Sequence, residues 1–269
     1  GESTGGTVVL SNSSASGTVN SSSNYVGGLI GLAYGTGYSD ISASGVVTQT
    51  GGEQVGGLIG QFWATTLLRG SATGNVVATG TGWHVGGLIG LSTGTSITAS
   101  FATGNVRSSL INVGGLVGEL VTSAAVNNSY ATGAVSGQNN VGGLVGVANY
   151  GSPGSTVTNS YALGNVSGNN RVGGIAGLVG FNASVTTVYA TGVVTGNSDV
   201  GGLVGELQNS DSGILTGSYW NITANPSLHI GGAGIGAGVG VGGGAAAGYG
   251  AVAGVVRGAA GEVDEPDVD

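Results

Sequence analysis

The sequence predicts an all-β fold: a parallel β-solenoid (β-helix) of seven to eight coils with about 28–31 residues per coil. Three observations carry that expectation. The hexapeptide Val-Gly-Gly-Leu-x-Gly begins at Val26, Val55, Val85, Val113, Val141 and Val200, and a variant with Ile begins at Val172. Successive starts differ by 29, 30, 28, 28, 31 and 28 residues. A second element keeps the same period, reading SATGNV from Ser71, FATGNV from Phe101, YATGAV from Tyr130, YALGNV from Tyr161 and YATGVV from Tyr189, with weaker copies from Ser14 and Ser42. The third observation is composition: 61 of 269 residues are glycine, while the rest of each unit is rich in Val, Thr, Ser and Tyr.

A fixed period of this length is the mark of a repeat architecture. Helical repeats are excluded, because glycine inside a helix costs about 1 kcal/mol relative to alanine. Val, Thr and Tyr broken by Gly and Asn is the chemistry of strands and turns. Each unit therefore reads as two or three short strands joined by tight turns. One unit cannot bury its own apolar side, but stacked units bury it continuously. At ~4.8 Å per coil, the usual strand spacing, the stack would be on the order of 35 Å tall. The solenoid is expected over residues 1–222, with a Gly/Ala-rich tail and acidic C-terminus over 223–269.

Stacking places equivalent residues in columns. The expected structural ladders are Ala72, Ala102, Ala131, Ala162 and Ala190; Phe101, Tyr130, Tyr161, Tyr189 and Tyr219; and Asn75, Asn105 and Asn165. Stacked rings and amide ladders of this kind hold strands together along an axis. A hydroxyl column, Ser16, Ser44, Thr73, Thr103, Thr132 and Thr191, is interrupted by Leu163 and reads as β-propensity before it reads as an ice- or glycan-binding face. The glycine pair of each hexapeptide serves either a close backbone approach or a turn.

Composition excludes several function classes. There is no cysteine, so neither a disulfide scaffold, a zinc ribbon nor a thiol nucleophile is available. Four arginines and no lysine stand against 12 acids, for a net charge of −8, which argues against nucleic acid as a partner. His84 and His229 are the only histidines and form no HExxH. No G-x-S-x-G sits between a strand and a helix. Glu119 and Glu206 occupy the same repeat position three coils apart, roughly 14 Å at the usual strand spacing, too far for a glycosidase pair and read here as solvated surface. The formal GxGxxG at Gly238–Gly243 lacks a surrounding βαβ unit. No catalytic residue, cofactor site or metal site is expected, and the chain reads as a non-enzyme. Sequons at Asn12, Asn20, Asn127, Asn165, Asn182 and Asn221 would permit glycosylation.

The Gly-Leu-x-Gly core preceded by Val-Gly, alternating with Tyr-Ala-Thr-Gly-Asn-Val, resembles the GLUG motif over roughly residues 12–222. The Tyr-Trp pair at Tyr219 and Trp220 resembles the terminator of such arrays. That motif occurs in secreted bacterial and archaeal surface proteins, among them filamentous-haemagglutinin-like adhesins and large cell-wall proteins related to streptococcal IgA peptidases. The resemblance implies a scaffold element and an extracellular or cell-surface location, and brings no catalytic residue.

The tail differs in kind. Ile235, Ala237, Val239 and Val241 alternate with glycine, which puts all four side chains on one face of an extended strand and suggests an assembly strand. The uncharged run Ile230–Val256 contains twelve glycines, so a membrane span is not expected. Low charge and open solenoid ends favour self-association. The expected function is an extracellular structural protein that self-assembles into a filament, sheath or surface layer, its partners being copies of itself. The alternative is an adhesin stalk or passenger binding a surface glycan, for which Trp63 and Trp83 would form a small sugar platform.

Overall fold

The computed structural model describes residues 8–149, 154–180, 182–208 and 214–229, with the strand backbones of Glu2–Ser3, Gly231–Ala233, Tyr249–Ala251 and Val256–Arg257. The chain winds as a parallel β-solenoid. A coil carries five short strands rather than the two or three expected. In the coil that starts at Val55 they are Val55–Gly56, Ile59–Ala64, Thr66–Leu68, Ser71–Ala72 and Val76–Ala78, called first to fifth below. The next coil opens with Trp83–Gly86. The extra strands arise because Val, Thr and Ala stretches of two or three residues are each bent by a turn residue. Two corners use residues at positive φ. One column is Tyr25, Gln54, His84, Asn112, Asn140, Arg171 and Asp199, and the other includes Asp40, Arg69, Ala99, Asn128, Asn159 and Thr187.

Every coil-to-coil pairing among the described coils is parallel. The first and fifth strands build seven-stranded ladders and the second builds a nine-stranded one. The third and fourth merge into a sixteen-stranded sheet, because the long strand Gly37–Ala43 pairs with both Thr66–Leu68 and Ser71–Ala72.

The core has two lobes. The larger lies between the second strand and the third and fourth, and takes Leu58, Ile59, Phe62, Leu67 and Ala72 from the Val55 coil. The smaller lies between the first and fifth strands and takes Val55, Val76 and Ala78. A wall of two sheets in backbone contact separates them, and this wall is the reason for the glycines. A methyl group on Gly56 would come 2.0 Å from the Ile59 carbonyl oxygen, and one on Gly60 would come 2.6 Å from the Val26 nitrogen. No side chain fits between the first and second strands. The middle glycine has other neighbours: a methyl on Gly57 would sit 2.1 Å from the Gly87 carbonyl oxygen of the next coil and 3.0 Å from the Ala72 Cβ. The hexapeptide therefore reads in order as Val to the small lobe, Gly to the wall, Gly against the next coil's glycine carbonyl and alanine, Leu to the large lobe, and Gly to the wall again.

The C-terminal end is closed. Trp220 takes the place of alanine in the last fourth strand, pairing with Ala190, and is 2 % exposed. Its indole lies on Gly202, where a methyl would meet the ring at 2.3 Å. Asn225 accepts from the Val194 nitrogen at 2.8 Å and donates to the Gly192 carbonyl at 3.0 Å, which satisfies the edge of the fifth-strand ladder. Leu228 packs against the small lobe. Beyond it, Gly231–Ala233 pairs parallel with the last second strand, while Tyr249–Ala251 and Val256–Arg257 pair antiparallel with Tyr219–Asn221 and Ile214–Thr216. The alternating segment Ile235, Ala237, Val239 and Val241 lies outside the described residues.

Candidate functional site

The positive-φ residue before each Val-Gly-Gly lies at the mouth of the glycine wall, where the first and second strands emerge together. Opposite it stands the residue that follows each hexapeptide. Register puts Leu32, Gln61, Leu91, Glu119, Val147, Leu178 and Glu206 in that second column. The two columns form one strip along the solenoid, and in the middle coils the strip is a polar network. His84 Nε2 is 2.7 Å from a Glu119 carboxylate oxygen, and Asn112 Nδ2 donates to the same oxygen at 2.6 Å. Asn149 Nδ2 donates to the other oxygen at 2.8 Å. Asn140 Nδ2 donates to Asn112 Oδ1 at 2.7 Å, and Arg171 joins the chain by pairing with Glu206 and approaching Asn140 at 3.5 Å.

Glu119 is 7 % exposed, which corrects its reading as solvated surface. Burial alone pushes its carboxyl group up. The hydrogen bond and charge of His84, with the bonds from Asn149 and Asn112, outweigh burial and hold the carboxyl below the usual range. Glu206 stands three ladder steps from Glu119 and faces Arg171 instead. The two acids thus have separate partners and no shared reaction space. Among the described residues, no serine-type triad is assembled around His84 either. His84 binds the acid through Nε2, while its Nδ1 is buried with no hydrogen-bond partner. No group of three or more His, Asp or Glu able to hold a metal occurs among the described residues.

The structure brings the repeat-element residues into columns. Ala72 pairs with Ala102, Ala102 with Ala131, Ala131 with Ala162 and Ala162 with Ala190, all buried against the glycine column. Phe101, Tyr130, Tyr161 and Tyr189 stack with ring centroids 5.1, 4.9 and 4.8 Å apart and planes within 7°. Tyr219 pairs with Tyr189 in register. Burial, followed by the neighbouring Tyr189 and Tyr130 phenols, pushes the Tyr161 hydroxyl up. The asparagines make a broken column: Asn75 Oδ1 accepts from the Asn105 nitrogen at 2.9 Å, Asn105 from Ala134 at 2.8 Å, and Asn165 from Val193 at 2.9 Å. Each satisfies the next coil's backbone, so the bond survives where the next residue is not asparagine. Thr73 and Thr103 of the hydroxyl column are exposed at the corner after the fourth strand.

One ladder escaped the sequence reading. Ser100, Ser129, Ser160 and Ser218, each just before the aromatic position of the second element, are buried at the corner between third and fourth strands, and Val188 takes the place of serine before Tyr189. Ser100 Oγ accepts from Gly70 N at 3.0 Å, Ser129 Oγ from Ser100 N at 3.1 Å, and Ser160 Oγ from Ser129 N at 3.1 Å, while each donates to a carbonyl two residues back. The signal was present as Ser-Phe or Ser-Tyr in four copies.

No described helix is long and apolar enough to cross a membrane. Residues 81–107 match the family model of the GLUG motif, the span from the fifth-strand corner of one coil to the fifth strand of the next. A stretch of 77 residues is 44% identical to Halomucin of Haloquadratum walsbyi, covering 26% of this chain and 1% of that protein. The chain thus spans about a hundredth of the length of the curated relative it matches. No solved structure matches.

Proposed function

We propose that this is an extracellular surface protein with a structural role, and that it self-assembles end to end into a filament, sheath or surface layer. The observation that carries the reading is the stack of in-register parallel coils. Its columns carry packing and backbone hydrogen bonds, and the buried carboxylate Glu119 is spent on holding three coils together. The GLUG match and the likeness to a protein named as a mucin support a surface location. No catalytic role is assigned.

Two features support self-association through the coil ends. The edge strands Val9–Ala15 and Val19–Ser21 contain no charged residue and no proline, the devices that ordinarily block edge pairing, while the edge strand Glu2–Ser3 of the neighbouring ladder carries one acid. At the other end, tail strands occupy the edge that a further coil would need. In this reading the tail is the exchangeable contact: it covers its own last coil in the monomer and yields the edge on assembly. Negative-stain electron microscopy of the full chain and of a chain ending at residue 229, over rising concentration, tests this. Regular fibres or sheets are expected, appearing at lower concentration after truncation. Monodisperse short rods from both chains at every concentration would overturn the reading.

A further inference from the structure

Exposed aromatic side chains gather at the N-terminal part of the strip. Trp83 is 52% exposed, Trp63 50% and Tyr25 39%. Tyr25 belongs to the positive-φ column itself, two coils before His84. Trp83 precedes His84, with the two rings edge to face at 6.0 Å. Trp63 lies two residues beyond Gln61 on one strand, hence on the same side. Asn149, in the corresponding place on a later coil, does reach the strip through its 2.8 Å bond to Glu119. Tyr34 braces Trp63 from the preceding coil at 5.8 Å, edge to face.

Between these rings the strip is polar and unfinished. Gln54, Gln61 and His84 are 8%, 7% and 9% exposed. Gln54 Oε1 and His84 Nδ1 are buried and have no hydrogen-bond partner. A buried acceptor and a ring nitrogen left unmatched are costly unless something completes them. In the middle coils the same strip is complete, because Glu119, Asn112 and Asn140 satisfy one another. The Trp83 column changes too: its partner in the next coil is Ile111, and later members are Asn139, Asn170 and Ser198. Open aromatic faces and unmatched polar atoms thus coincide in the first three coils.

We propose that Tyr25, Trp63 and Trp83, with Gln54, Gln61 and His84 between them, bind a neutral saccharide chain. The rings offer flat apolar faces to the C–H side of a sugar, and the amides and imidazole meet its hydroxyls, the usual division of labour in a site for a small polar ligand. Charge selects a neutral sugar. Two carboxylates adjoin this part of the strip, Glu53, bonded to Gln54 Nε2 at 3.3 Å, and Glu119, 2.7 Å from His84 Nε2, and both repel sulfated, carboxylated or phosphorylated chains. The site does not depend on self-assembly, and its failure would leave the structural reading standing.

The test is calorimetric titration of the full chain with neutral hexasaccharides of glucose, mannose and N-acetylglucosamine, and with hyaluronate as the anionic control. Tryptophan emission is followed in parallel; Trp220, 2% exposed, serves as the internal report that the fold is intact. Trp63→Ala and Trp83→Ala alter exposed side chains and are expected to keep that report unchanged. Saturable binding of at least one neutral hexasaccharide is expected, weakened roughly three- to tenfold by each substitution, the range of one aromatic contact. No saturable binding to any neutral chain, binding unaltered in both variants, or binding of hyaluronate alone would each overturn the proposal.

Discussion

Gly118→Ala tests the glycine wall most directly. Gly118 closes the hexapeptide that starts at Val113, and its backbone faces the first strand of the preceding coil. An added methyl would lie 2.5 Å from the Gly90 carbonyl oxygen, 2.6 Å from the Val85 nitrogen and 2.8 Å from the His84 carbonyl carbon. All three are backbone atoms in hydrogen-bonded ladders, so none can swing away as a side-chain tip would. Overpacking of a tight interior costs about 1–3 kcal/mol, and three immovable contacts place this site at the upper end. Against it stands the unfolded-state gain of replacing glycine, about 0.4–1 kcal/mol where the backbone suits alanine. The net expectation is a loss of roughly 2 kcal/mol, or about 4–8 °C in Tm for a chain of this size. Gly17→Ala is the matched control, since a methyl there meets nothing within 4 Å; it should leave Tm unchanged or raise it slightly. Thermal melts followed by far-ultraviolet circular dichroism decide the matter. A Gly118→Ala protein as stable as the parent would refute the two-sheet wall as the reason for the repeat's glycines.

Three further outcomes follow from the same geometry. Trp220→Ala should cost about 3–5 kcal/mol locally, the price of emptying a large buried site, and hydrogen exchange should show the coil around Ile214–Asn221 opening while the middle coils stay protected. Because the Glu119 carboxyl is held below its ordinary value of 4.5, the unfolded chain takes up that proton first as pH falls; its stabilisation is complete at neutral pH and is lost progressively below about pH 4.5. Urea midpoints should therefore drop between pH 6 and pH 3 (roughly, around the unperturbed carboxyl range), whereas Glu119→Gln should be about 1–3 kcal/mol less stable at neutral pH and show a flatter acid limb. Tyr161→Ser removes two stacked pairs, at 4.9 and 4.8 Å, and should lower stability by about 1–3 kcal/mol in the same melts, with Tyr161→Phe restoring most of it.

Sequence alone determined the period, the all-β class and the parallel stacking, because identical units can bury identical faces only by lying in register. It also determined column membership: the 28 to 31-residue spacing put Ala72 over Ala102 and Tyr130 over Tyr161 without any knowledge of where the turns fall. What lies opposite a column was decided by the tertiary structure. The glycines of Val-Gly-Gly-Leu-x-Gly are alike in sequence, yet the outer two face the other sheet's backbone while the middle one meets the next coil's glycine carbonyl and an alanine, and only the fold-back of the first strand on the second distinguishes them. The polar strip was illegible for a related reason. Its positive-φ column runs Tyr25, Gln54, His84, Asn112, Asn140, Arg171 and Asp199, with no shared side-chain chemistry to reveal it. Glu119 therefore looked like a lone surface acid until the wall brought His84, Asn112 and Asn149 around it. Periodicity encodes contacts between coils, which repeat along the axis; contacts across a coil depend on its corners, and those are set by packing.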